Sequence, residues 1–101
     1  MEQEIGWISA DEVRQRLERG EALNLVDVRE PEEVALGMLP GAIHIPLGEL
    51  PYRHEEIPQA DEVIFVCRSG SRSGRACDYL RHLGYRGLKN MEGGMLDYGN
   101  P

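Results

Sequence analysis

Short apolar runs alternate with helix-forming segments along the whole of this 101-residue chain, and that alternation constrains the fold more than any other feature. Val63-Ile64-Phe65-Val66 is continuously apolar and bounded by polar residues, the mark of a strand buried on both faces. Asn24-Leu25-Val26-Asp27-Val28 is a second short, β-rich run, and Ala42 to Ile45 reads as a third, closed by Pro46. Ile5 to Ile8, as an edge strand, and Leu88 to Met91 complete the set. Helices fill the intervals. Ser9-Ala10-Asp11-Glu12 is a capping box opening a helix over 10–19, with Val13 and Leu17 on one face and Gly20 as its stop. Glu30-Pro31-Glu32-Glu33 puts proline in a first turn and acids at a positive helix end, predicting a short helix that ends near Gly37. Leu39-Pro40-Gly41 is a turn. Residues 47–56 are expected to be partly helical, broken or restarted at Pro51. A longer helix is predicted over 73–83, with Ala76, Cys77, Leu80 and Leu83 on its apolar face and Gly84 as its cap. Gly93-Gly94 marks a turn before a last helical turn at 95–98. The repetition implies an α/β fold, a parallel sheet with helices on both faces, in one domain over residues 1–101.

Ligands of such sheets bind beyond the carboxyl ends of the strands. Arg29 and Cys67 both follow predicted strands and so share one rim of the sheet. After Val66 the loop Cys67-Arg68-Ser69-Gly70-Ser71-Arg72-Ser73 leads directly into a helix. A strand, a tight loop and a helix start aim backbone N–H groups and the positive helix end at one spot. A thiol at that spot is stabilised as the thiolate, the reactive form of cysteine. Cys67 is therefore the candidate nucleophile. Gly70 admits close backbone approach, and Ser69, Ser71 and Ser73 add hydrogen-bonding groups without charge.

The formal net charge of −7 argues against a nucleic-acid binder, since phosphate neutralisation needs a surplus of Lys and Arg. Yet residues 67–75 hold three arginines, Arg68, Arg72 and Arg75, and no acid. A basic loop in an acidic chain points to a small anionic substrate. Two cysteines make no disulfide framework, and His44, His54 and His82 lack zinc-ligand spacing, so neither a metal nor another cofactor is expected. The first residues, Met-Glu-Gln-Glu-Ile-Gly-Trp, lack a basic segment and an apolar segment of the kind a secretory leader needs. No run is long enough to cross a membrane, and a single reactive cysteine suits the reducing cytoplasm.

Three segments together resemble one family, the single-domain rhodaneses, which are thiosulfate-type sulfurtransferases. They are Leu25-Val26-Asp27-Val28-Arg29-Glu30 with Gly37-Met38-Leu39-Pro40-Gly41-Ala42-Ile43-His44-Ile45-Pro46, then Cys67 to Ser73, then Met91-Glu92-Gly93-Gly94. The resemblance covers nearly the whole chain in order and spacing. It implies a three-layer fold with a five-stranded parallel sheet and a persulfide on Cys67 as the intermediate. Family members take a sulfane sulfur from a donor such as thiosulfate and pass it to cyanide or a thiol. Their active-site loop maps onto Cys67 through Arg72, and their second-segment arginine, turned to the anionic donor, maps onto Arg29. Met38, Val34 and Tyr98 depart from the histidine, aromatic and tryptophan that are frequent there, all at packing positions.

Alternatives remain beside these readings. Arg29 either binds the donor or pairs with Asp27 or Glu30, while Asp27 is expected to accept backbone hydrogen bonds as structural support, as is Ser73. Cys77 reads as core, His44 as structural, Arg75 as surface, and the acids Glu30 to Glu33 as a solvated face. Cysteine-dependent phosphatases use C-x5-R, whereas four residues separate Cys67 from Arg72, a loop better sized for sulfur than for phosphate or arsenate. A sulfur-relay or regulatory module, exchanging sulfur with a protein partner, would use the same cysteine.

Overall fold

The computed structural model describes residues 4–99; Met1 to Gln3, part of the stretch read for a leader, lie outside the described residues, as do Asn100 and Pro101. Strands β1 (Gly6–Ser9), β2 (Leu25–Asp27), β3 (Ile43–His44), β4 (Val63–Val66) and β5 (Leu88–Glu92) form one parallel sheet in the order β1-β5-β4-β2-β3. Helices α1 (Ala10–Glu18), α2 (Pro31–Val34), α3 (Leu50–Arg53), α4 (Ser71–His82) and α5 (Gly94–Tyr98) connect and cover it. The expected architecture is the one observed.

The two faces of β4 show why the sheet is central. Val63 and Phe65 point to a core shared with Ala76, Cys77 and Leu80 of α4 and Leu50 of α3. Ile64 and Val66 point the opposite way, to Ala10 and Val13 of α1 and Met95 of α5. All four residues of β4 are buried, as their unbroken apolar run requires. The Ser9 Oγ accepts the Glu12 N–H at 3.0 Å and starts α1 as its sequence anticipates. Pro51 restarts rather than ends its helix: a 3₁₀ turn at Leu47–Glu49 runs into α3 with Pro51 in the first turn.

Boundaries differ from expectation at three places. Helix α4 begins at Ser71, two residues before the predicted start, because Gly70 (φ +101°) turns the chain and releases it into helical geometry at once. Leu83 is 47 % exposed, so it lies off the apolar face on which its spacing placed it. Strand β3 keeps only Ile43 and His44, since Ala42 is still in the turn and Pro46 cannot donate to a ladder.

The strand order fixes where a ligand can sit. The connection leaving β2 runs outward to β3, whereas the connection leaving β4 runs the other way to β5. Strands β2 and β4 are direct neighbours, and Val28 N–H donates to the Val66 carbonyl at 2.9 Å just past their ends. Diverging connections open a crevice at that point, and Cys67 follows the last residue of β4.

At the opposite rim, Glu62 ties three elements together. Its carboxylate accepts from Arg16 of α1 at 2.7 and 3.0 Å and from Lys89 of β5 at 2.7 Å. The Arg16 hydrogen bonds, against the cost of burial and with help from Lys89, bring its pKa down from an ordinary 4.5 to about 2. A depressed carboxylate stabilises fully above its unfolded pKa, and that contribution drains away as pH falls towards the folded value. Glu62→Gln should therefore lower Tm at neutral pH, and its melting curve should converge with that of the wild type between pH 4.5 and 2. Parallel curves through that window, followed by circular dichroism, would refute the assignment.

Candidate active site

The Cys67 side chain is fully buried at the floor of the crevice. Its Sγ accepts the Gly70 N–H at 3.0 Å and the Ser73 hydroxyl at 3.2 Å. Burial is the largest influence on this thiol and pushes its pKa up. Hydrogen bonds from the Ser73 hydroxyl and from the N–H groups of Ser73, Gly70 and Ser69 together outweigh it, and the net pKa is lowered. Ser69, Gly70 and Ser73 act on the sulfur through their N–H groups, and Ser73 also through its hydroxyl. Glycine is required at position 70 by its positive φ, not by lack of room: a Cβ there would meet the Gly93 nitrogen at an ordinary 3.6 Å. Cys77 makes the contrast. It faces the core, and burial pushes its thiol up to about 12.

A loop whose N–H groups turn inward must satisfy its carbonyls elsewhere. The Cys67 carbonyl accepts from Met95 N–H at 2.9 Å and the Arg68 carbonyl from Leu96 N–H at 3.0 Å, so the start of α5 braces the loop from behind. That approach needs Gly94 (φ +59°), where any Cβ would sit inside van der Waals contact with both carbonyl groups. The Gly70 carbonyl accepts from Asn90 Nδ2 at 2.9 Å, and Asn90 Oδ1 accepts from the Ser73 hydroxyl at 2.5 Å. A hydroxyl carries one proton, so Ser73 donates either to Asn90 or to the sulfur, and receives the thiol proton when it donates to Asn90. Neither Asn90 nor the bracing role of Gly93-Gly94 was legible from local spacing; Asn90 shows only as a polar residue inside an apolar strand.

The arginines divide. Arg68 is exposed at the loop surface beside Ser69, Ser71 and Arg75. Arg29, for which donor binding was one expectation, is corrected to a structural residue. It is completely buried, holds both Asp27 oxygens at 2.8–3.1 Å, and donates to the Gly37 carbonyl at 2.7 Å and the Glu33 carbonyl at 3.4 Å. Its hydrogen bonds to Asp27, Glu33 and Gly37 are the structural pairing that was the other expectation. Asp27 also accepts the Arg29 N–H at 3.0 Å, the backbone contact expected of it, and His44 bonds the Arg29 carbonyl at 2.7 Å. Arg72 is held by Glu33 of α2 through two hydrogen bonds of 2.6 and 2.8 Å. Glu33 is therefore no solvated acid. The Arg72 hydrogen bonds, opposed by burial, hold its carboxyl at about 2.

A match to the rhodanese-like domain model spans residues 9–100. The chain belongs to the rhodanese family. A sulfurtransferase of Allochromatium vinosum is 43% identical over 92 residues, 91% of this chain and 86% of that protein. The human thiosulfate:glutathione sulfurtransferase is 35% identical over 105 aligned positions, 90% of each chain. Among solved structures, a rhodanese-like domain protein of Staphylococcus aureus superposes with a TM-score of 0.85 at 31% identity, covering 96% of this chain and 97% of that one. This rhodanese shows, among its described residues, no cluster suited to a metal ion and no helix long and apolar enough to cross a membrane. A cleft of 260 Å³ lined by Gln59, Ala60, Asp61, Gly84 and Arg86 lies before β4 and β5, at the rim away from Cys67.

Two substitutions probe this site. Ser73→Ala removes the chief hydrogen bond favouring the Cys67 thiolate, so the pH midpoint of alkylation by iodoacetamide should move upward and the rate at pH 7 should fall several-fold. An unmoved profile would assign the thiolate to the backbone alone. Arg29→Ala strands a buried Asp27 carboxylate and should cost about 3–5 kcal/mol in urea unfolding. A loss under 1 kcal/mol would return Arg29 to the donor site.

Proposed function

We propose that this protein is a sulfurtransferase that carries a sulfane sulfur on Cys67. The carrying observation is the Cys67 sulfur itself, buried yet ringed by N–H and O–H donors at the carboxyl end of the central strand. Those donors favour negative charge at one atom's distance, the property a thiolate nucleophile and a persulfide share. The Cys67 thiolate attacks the outer sulfur of thiosulfate or a similar anionic donor. A Cys67 S–S bond forms, the donor's S–S bond breaks, and its electron pair leaves with sulfite. The persulfide then gives its terminal sulfur to cyanide or a thiolate, releasing thiocyanate or an acceptor persulfide and restoring the thiolate. Each step conserves charge and needs no cofactor.

Arg68 and Arg72 meet the donor's oxyanion, while Ser69, Gly70 and Ser71 line the cradle. The human relative's name supports a thiol acceptor, glutathione. Residues 1–101 act as one domain, and its single reactive cysteine suits the reducing cytoplasm. A protein sulfur acceptor is the other outcome the test separates. Intact mass after incubation with thiosulfate should rise by one sulfur atom in the wild type and not in Cys67→Ser, and thiocyanate should form on adding cyanide. Loading without turnover would assign a relay that hands sulfur to a protein partner. Equal gain in both proteins would displace Cys67 from its role.

A further inference from the structure

The two hydrogen bonds between Arg72 and Glu33 join residues 39 positions apart, and their geometry is fixed before any donor arrives. Glu33 Oε1 is also held by the Glu30 N–H at 2.9 Å, so the carboxylate is locked to the start of α2. Both side chains are 26 % exposed, enough shelter to keep their fields from being screened away entirely. Arg72 in turn lies within electrostatic reach of the Cys67 sulfur. At neutral pH Glu33 is ionised, so its charge cancels that of the arginine the active-site loop contributes. What reads in sequence as a stretch of three uncompensated arginines has one of them neutralised from another element.

We infer that Glu33 is a specificity-determining residue: by closing Arg72 in a bidentate pair it lowers the positive charge at the donor site, and so disfavours a dianionic donor such as thiosulfate relative to a monoanionic thiosulfonate. The inference rests on the sulfur-transfer reading for its substrates. Both donors deliver the same outer sulfur to Cys67 and differ in leaving group, sulfite against a sulfinate. Removing one negative charge should help the dianion more, since Coulomb energy scales with ligand charge.

The test compares wild type, Glu33→Gln, Arg72→Gln and the double variant with thiosulfate and benzenethiosulfonate, cyanide being the acceptor. Glu33→Gln should lower KM for thiosulfate by about three- to tenfold with little change in kcat, and KM for benzenethiosulfonate by about the square root of that factor. A second readout needs no sulfur chemistry: the ratio of Cys67 alkylation rates by anionic iodoacetate and neutral iodoacetamide, with Cys67→Ser as background. That ratio should rise in Glu33→Gln, fall in Arg72→Gln and return to within about twofold of wild type in the double variant, where both charges are gone. A higher thiosulfate KM or a lower ratio in Glu33→Gln would mean that Glu33 instead poises Arg72 to bind anions. A double variant no better than Arg72→Gln would reduce the pair to a structural clamp. If Glu33→Gln does not fold, the double variant against Arg72→Gln carries the decision, because it leaves no unpaired charge. If no variant loads sulfur from either donor, the sulfur reading fails while the alkylation ratio still judges Glu33.

Discussion

Turning several N–H groups onto one sulfur forces the carbonyls of the same peptides outward, where each must find a donor or cost about 1–3 kcal/mol. Much of the site follows from that demand. The carbonyls of Cys67 and Arg68 are met by the first N–H groups of α5, and that of Gly70 by Asn90. A helix of five residues has little to hold it in place on its own, and here its opening turn is bonded to the loop it supports. Loop and helix therefore stand or fall together, with Met95 buried beneath both.

What could be read from the sequence was local. The strand-loop-helix unit around Cys67, the cap at Ser9, the proline-led start of α2 and the core position of Cys77 each rest on spacing within a few residues. Asp27 was legible for the same reason, since its carboxylate serves a backbone N–H two residues on. The misreading of Glu33 and the missed role of Asn90 involve partners far along the chain. Arg29 is held by Asp27, Glu33 and Gly37 of its own segment, and what that segment left undecided is its burial. Glu33 looks solvated on a short helix until α4 brings Arg72 to it. Asn90 acquires its task only when β5 pairs with β4, with Asn90 opposite Phe65. Leu83 shows the limit of periodicity itself: the helix has ended where the pattern continues.

Two ion pairs at the same rim illustrate how burial separates structural from adjustable charge. Asp27–Arg29 is sealed, with side-chain exposures of 2 % and 0 %, and every change there is a change in folding. Glu33–Arg72 sits closer to solvent and within electrostatic reach of the reactive sulfur. One fixes the segment after β2, the other joins α2 to the start of α4.

The shortness of β3 has a consequence away from the chemistry. A sheet presents unpaired N–H and C=O groups along its outer strands, and these invite another chain to add itself as a further strand. Here one outer strand is two residues long, with Pro40 shortly before it and Pro46 shortly after, and neither proline can donate to a ladder. The other, β1, is four residues long and passes directly into α1. A sheet bounded this way gives an incoming strand little to register against, which guards the molecule against edge-to-edge aggregation.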